Sequence, residues 1–390
     1  MDDLREEILK DLQENIMPFW MNLKDDEYGG FYGWVDYDLN LIKSTDKGGI
    51  ATARYLWSFS SMYRFTKDEK YKECANHAYK FLLNNFLDKE WKGLYWMVDY
   101  KGNVTDYRKH VYTQSFGIYA LSEYYRATGH EESLEMAKDL YYLIESKGFN
   151  NKNNAYMEEF NREWDISPNE MLSENGVVAD ITTNTHLHVL EAYTNLYRVW
   201  PDKELKENIN KLIKIFYEYI YNKDTKFLKV FFDNKWNEII DLKSYGHDIE
   251  ASWLIDEALK VIASDNKEYL QMVVDIAYNI AKEGVLKDGS LKNEKEKGKD
   301  DLTKVWWVQA EAMVGFVNAY ERTKDKKFLE LVSGLWKYTK ENVIDKRKNG
   351  EWYWSVEENN KPTEREIAGP WKTPYHNTRF CLEILERIDK

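Results

Sequence analysis

The chain lacks most of the features that announce a function on their own. Its two cysteines, Cys74 and Cys381, lie far apart and outside any CxxC spacing, which leaves neither a disulfide framework nor a thiolate zinc site. Only six prolines occur, with no Pro/Ser-rich stretch, so nothing marks a linker and one domain over residues 1–390 is expected. No run approaches the roughly eighteen apolar residues of a membrane span. The opening MDDLREEILKDLQENIMPFW is acidic where a secretory signal would be basic and then apolar, so the expectation is a cytoplasmic protein with no membrane partner. Excess basic charge is missing too: the net charge is −13, and nucleic-acid binding draws on counterion release to a basic surface. GxGxxG, Walker, HExxH and GxSxG patterns are absent, and the glycines of YGGFYG are wrongly spaced for a dinucleotide loop.

Aromatic residues, by contrast, are abundant. They make up 15% of the chain, with 15 Trp and 29 Tyr, and rings with one polar handle suit both a core and a sugar-binding cleft. A phrase also recurs: YRFTKDEKY from Tyr63, YRATGHEESL from Tyr125, YRVWPDKEL from Tyr197, VIASDNKEY from Val261 and YERTKDKKF from Tyr320. The copies are roughly sixty to seventy residues apart, the size of a structural repeat. Apolar residues at i, i+3, i+4 and i+7 flank each copy, as in SFGIYALSEYY before a turn and SLEMAKDLYYLI after one, which predicts a helical hairpin per repeat. A weaker recurrence of glycine among aromatics (YGGFYGWVD, WKGLYWMVD, FLKVFFDNKW, GEWYWSVEEN) predicts short strands or hairpins in the connecting loops. About six such units closing on themselves give an all-α (α/α)6 barrel.

The repeat also points to a rim. Counting back twelve residues from the turn gives Arg54, Phe116, His188, Ser252 and Glu311, all near the start of the helix that precedes the turn. Tyr112, Gln114, Asn184, His247, Glu250, Trp306 and Trp307 are close neighbours, and the last unit adds Trp371 and His376 in WKTPYHNTRF. Polar residues gathered at one end of apolar helices mark a site. His186 and His188 are about 200° apart on a helix, so they cannot serve one ion together; Asn184 and His188 share a face, and His186 reads as a packing residue. The His247–Glu250 spacing puts a carboxylate beside an imidazole, as a general base near neutral pH requires. Arg54, on the apolar ATARYLWSF, needs a carboxylate or a ligand to be buried. His77, His110 and His130 read as surface or structural residues. Three dispersed histidines without clustered carboxylates make a poor metal site.

The motifs NIMPFW, TARYLW, KHVYTQSFGIYALSEYY, LSENG, NTHLHVLEAYTNLYR, YGHDIEASWL, WWVQAE and WKTPYHNTRFCLEI, in that order over nearly the whole chain, resemble the N-acylglucosamine 2-epimerase superfamily, and within it the cellobiose 2-epimerases. The resemblance implies an (α/α)6 barrel working without metal or organic cofactor. It implies His247 and His376 as acid/base residues on opposite faces of a sugar, and His188 as an aid to ring opening that holds O1 and O2 with Arg54 and Asn184. Tyr112 and Glu250 are implied as site residues, and Trp307 and Trp371 as stacking rings; WW by itself does not say whether Trp306 or Trp307 faces the cleft.

Inverting C2 of an aldose means removing a proton alpha to the aldehyde and returning one to the other face, hence two bases and donors for an enediolate. The expected activity is reversible C2 epimerisation of the reducing-end glucose of β-1,4-linked disaccharides such as cellobiose and lactose, with aldose–ketose isomerisation as a side reaction. The alternatives are a mannose isomerase or N-acylglucosamine 2-epimerase, a glycoside hydrolase using Glu250 and Glu311, and a sugar-binding protein without catalysis. The expected partner is the disaccharide, with no nucleic acid, and the chain acting as a monomer or homodimer. The charged run EKEKGKDD (Glu294 to Asp301) and the ERIDK tail are expected to be solvated, the former as a candidate loop over the site.

Overall fold

The recurrent phrase works as a local folding signal. Thr66, Thr128 and Thr323 each donate their hydroxyl to the carbonyl four residues back and accept from the backbone N–H two residues on. The residue between, Lys67, Gly129 or Lys324, takes a left-handed conformation, which ends the helix. The next helix then starts on a cap: Asp68, Asp202 and Asn266 accept from the first free N–H groups.

A computed structural model describes residues 2–172 and 176–387; parts of LSENG and of ERIDK lie outside the described residues. The helices alternate between an outer set (α1 Asp2–Asp11, α3 Glu69–Phe81, α5 Glu131–Leu143, α7 Lys203–Ile215, α9 Lys267–Glu283, α11 Lys327–Tyr338) and an inner set (α2 Gly49–Thr66, α4 Val111–Thr128, α6 Thr183–Tyr197, α8 Tyr245–Val261, α10 Trp306–Thr323, α12 Tyr375–Arg387). Outer helices bury one stripe, as in α7 with Leu205, Ile209, Leu212 and Ile213. Inner helices are buried almost all round, as expected of helices with neighbours on every side. Each inner helix packs on the next, and α12 packs on α2, closing an (α/α)6 barrel. Five hairpins are contiguous in the chain; the sixth joins its two ends, α1 packing against α12.

The aromatic loops differ in part from the expected local hairpins. Met97–Val98, Phe231–Phe232 and Ser355–Val356 pair with Lys47–Gly48, Ile181–Thr182 and Lys304–Val305, the residues just before α2, α6 and α10. Tyr28–Asp36 contributes only isolated bridges. These pairings tie the N-terminal ends of inner helices to the loops that follow the outer ones, so the rim is stitched across the whole hairpin. The charged run forms a true hairpin, Glu294–Glu296 on Lys299–Asp301, paired to Leu242–Ser244 directly before α8. No described helix is long and apolar enough to cross a membrane.

Candidate active site

The sixth residue of five consecutive inner helices is Arg54, Phe116, His188, Glu250 and Glu311. In the fourth unit this is Glu250 and not Ser252 as counted from the turn, because α8 ends at Val261 without the threonine turn. These residues face the axis of the barrel. His247 and His376, nearer the helix starts, meet over one ring: Trp307 lies 4.8 Å from His247 and 5.5 Å from His376, centroid to centroid. Trp306 is buried on Trp354 and meets only His376, edge-on at 6.3 Å, so Trp307 is the ring that packs on both histidines.

Arg54 is 3% exposed, and no carboxylate pairs with it among the described residues. Its side chain reaches back toward the helix start, donating to Tyr112 Oη at 3.0 Å and to the Trp371 carbonyl at 3.2 Å, while the guanidinium lies over Phe116 and Tyr375. Trp371 continues this wall, 6.3 Å from Tyr112 and 6.0 Å from Trp96. Asn184 opens with His247, Val230, Phe231 and Glu294 on a small cavity, and its Oδ1 has no partner. The charged run thus begins at the site, through Glu294.

Beneath the histidines lies a network that the sequence reading missed. Arg379 of α12 donates through Nη1 to Glu191 and through Nη2 to Glu250 and, at 2.6 Å, to Glu311. Tyr375 donates to Glu191. Glu191 in turn takes His188 Nδ1 at 2.8 Å, and Glu311 takes His376 Nδ1 at 2.7 Å. Each carboxylate therefore fixes a tautomer with the proton on Nδ1 and leaves Nε2 free to exchange protons. Arg379 is a charge on an apolar helix, the same signal that singled out Arg54, and could have been found by it.

The expected pairing of Glu250 with His247 is not what forms. His247 Nδ1 meets Ser244 Oγ at 2.8 Å, while Glu250 is taken by Arg379, because a buried guanidinium needs carboxylates more than a partly exposed ring does. Glu250 still acts on both histidines through its charge: burial pushes His247 down to about 4 and His376 well below the usual imidazole range, against the pull of Glu250. Burial raises Glu191, but Arg379 and His188 outweigh it and bring the carboxyl to about 2. Glu250, Glu311 and His376 place donor atoms within 4.8 Å of one another, yet the cation they already hold is Arg379. The same contacts weigh against Glu250 and Glu311 as a glycosidase pair, since they share one guanidinium nitrogen and are sealed from the cavity. His186, as read from the sequence, is a packing residue, bonded to the Thr182 carbonyl and the Tyr156 N–H. His110 caps α4 by accepting from the Tyr112 N–H.

Residues 30–379 match the N-acylglucosamine 2-epimerase (GlcNAc 2-epimerase) family model. The chain belongs to this family. It is 47% identical to a cellobiose 2-epimerase of Dictyoglomus turgidum over 99% of both chains. A solved cellobiose 2-epimerase from Bacillus thermoamylovorans is 64% identical and superimposes with a TM-score of 0.98, covering 99% of this chain and 100% of that one. A D-mannose isomerase of Marinomonas mediterranea is more distant, 24% identical over 96% of this chain and 95% of its own.

Proposed function

We propose that the protein reversibly epimerises C2 of the reducing-end glucose of β-1,4-linked disaccharides, converting cellobiose to 4-O-glucosylmannose and lactose to epilactose. The observation that carries this reading is the pair of imidazoles, His247 and His376, that both pack on Trp307 beside a buried arginine with no carboxylate partner among the described residues. The strength of the likeness to cellobiose 2-epimerases supports the disaccharide over a monosaccharide substrate.

In this reading the sugar ring lies on Trp307 and Trp371. His188, its Nδ1 held by Glu191, moves the ring-opening proton with Nε2. One of His247 and His376 takes the C2 proton, and the other, charged from solvent, delivers a proton to the opposite face; the reverse reaction exchanges their roles. Burial lowers the pKa of both rings, which favours the neutral form a base requires, and the negative charge of the enediolate favours protonation of the ring that returns the proton. Arg54, Tyr112 and Asn184 receive the O1 and O2 oxygens of the enediolate. Arg54 suits an oxyanion because it is permanently charged and forked, and such preorganised donors contribute about 2.7–4 kcal/mol each. Return of the proton to C1 gives the ketose, so lactulose from lactose is the side product of the same site.

The test is NMR of cellobiose incubated in D2O with EDTA-treated protein. The expected product is 4-O-glucosylmannose carrying deuterium at C2. Free glucose would replace the reading with hydrolysis, and an unchanged disaccharide together with turnover of mannose or an N-acyl sugar would replace the substrate.

A further inference from the structure

The fourth residue of four of the six inner helices, α2, α4, α6 and α10, clamps the rim. Thr52, Gln114, His186 and Gln309 all donate to the carbonyl four residues back, at 2.9, 3.3, 2.8 and 3.5 Å. The last three also hold the neighbouring loop: Gln114 accepts from the Leu94 N–H and donates to its carbonyl, Gln309 does the same to Leu291, and His186 accepts from the Tyr156 N–H. A side chain that both donates and accepts is what this position demands. The equivalent residue of α8 is Asp248, directly after His247. Its Oδ2 accepts from the Leu228 N–H at 3.0 Å, as the glutamines do from their leucines. Its Oδ1 is buried and has no hydrogen-bond donor among the described residues, where the two glutamines place a donor between two carbonyls.

We propose that Asp248 is a protonated carboxylic acid in the working protein, a positioning residue whose Oδ1–H closes a fifth donating clamp and holds the first turn of α8, with His247 on it, against the Leu228 loop. A carboxylate there would leave an oxygen with bare negative charge unpaired in a buried site. Burial pushes this carboxyl well above the usual carboxylate range, against the Leu228 N–H and the charge of Lys243. None of the charged groups around it is hydrogen-bonded to it among the described residues: Lys243 is bonded to Glu283, Lys292 to Asp300, and Lys229 to the Tyr219 carbonyl, while Tyr245 and His247 flank it in the chain. Ionisation at high pH opens the clamp and frees His247.

The importance of Asp248 for turnover rests on the epimerase reading; its protonation does not. Two readouts free of substrate therefore come first. Glu158 is also raised, to about 8, so the readout is the difference spectrum: near neutral pH, wild type minus Asp248→Asn is expected to show a protonated-carboxyl infrared band. Because the folded pKa is raised, the unfolded chain loses this proton first as pH rises from about 4, so wild-type stability falls from there up to the folded pKa. Asp248→Asn, whose amide donates at all pH values, is expected to gain on wild type in melting temperature across that window. In turnover Asp248→Asn keeps the wild-type rate and extends it to higher pH, whereas Asp248→Ala loses about 10²-fold in kcat, as displacement of a reacting group by an ångström does. A wild-type minus Asp248→Asn difference spectrum that shows the loss of a carboxylate and no protonated carboxyl, or an Asn variant as impaired as the Ala variant, overturns the proposal. If wild type shows the band but epimerises no disaccharide, the functional reading fails and the clamp stands.

Discussion

Replacing Glu311 by glutamine tests whether the buried network serves catalysis or only cohesion. One oxygen of Glu311 accepts from His376 Nδ1 at 2.7 Å and Arg379 Nη2 at 2.6 Å, and the other accepts from Trp253 Nε1 at 3.1 Å. An amide has one acceptor end and one donor end, so in either orientation an N–H meets an N–H. The better orientation keeps the oxygen toward His376 and Arg379 and abandons Trp253, leaving a buried donor unmet at a cost of about 1–3 kcal/mol in stability. The larger effect is on the reaction. As His376 takes a proton the imidazolium loses its anionic partner, and a positioned acid–base group contributes about 10²–10⁴-fold in rate, or roughly 3–5 kcal/mol. Glu311 is fully buried and touches no substrate, so KM should stay within about threefold, a ground-state binding unaltered while the transition state suffers. The assay is C2 deuterium exchange by NMR at saturating disaccharide, beside urea denaturation. A variant with the expected loss of stability but exchange within about fivefold of wild type would refute the reasoning and leave Glu311 a core residue.

The remaining predictions concern the rim and pH. His247→Ala and His376→Ala should each abolish C2 proton exchange while circular dichroism and melting remain close to wild type; wild-type exchange in both would remove the two-base mechanism. Arg54→Lys keeps the charge but not the fork that spans Tyr112 and the Trp371 carbonyl, so kcat should drop by about 10²–10³ with the barrel intact, measured by steady-state kinetics; an unchanged kcat would exclude Arg54 from oxyanion binding. His186 is buried as the neutral ring and brought down to about 4. Below pH 6.5 the unfolded chain binds a proton that the folded chain refuses, so stability should fall between about pH 6.5 and 4, by about 3 kcal/mol from this group alone. Urea unfolding at pH 7 and pH 4.5 checks it, and His186→Gln should flatten the slope.

How much of this was legible in the sequence depended on how local its cause is. The hairpin turns were readable because the threonine hydroxyl, the left-handed residue and the capping aspartate all act within a few residues. The rim was readable because a repeat places equivalent positions at equivalent depths. The sixth hairpin was not, because its outer helix opens the chain and its inner helix closes it. The Arg379 network was hidden for a related reason: its carboxylates Glu191, Glu250 and Glu311 sit on α6, α8 and α10, and no spacing along one helix reveals a partner on another. The His247–Glu250 spacing misled in the same way. Adjacency on a helix face was real, but the competitor for Glu250, Arg379, lay 129 residues further on.

The two levels of the barrel then divide the electrostatic task. In the proposed reaction, taking a proton from C2 would create a separated pair of charges, an imidazolium and an enediolate, from neutral groups. The deep level holds three carboxylates around one guanidinium, Glu191, Glu250 and Glu311 against Arg379, an excess of negative charge directly under His188 and His376. The upper level carries Arg54, uncompensated, and the N-terminal ends of the inner helices, whose free N–H groups give positive potential. Each nascent charge therefore meets a field of the opposite sign that was set when the chain folded, so no reorganisation is required at the moment of transfer. Exchanging the levels would oppose the reaction: a carboxylate at the Arg54 position would face the enediolate. Arg54→Glu should accordingly fall well below Arg54→Lys in exchange rate at equal stability, and equal rates for the two would show that the polarity of the barrel plays no part.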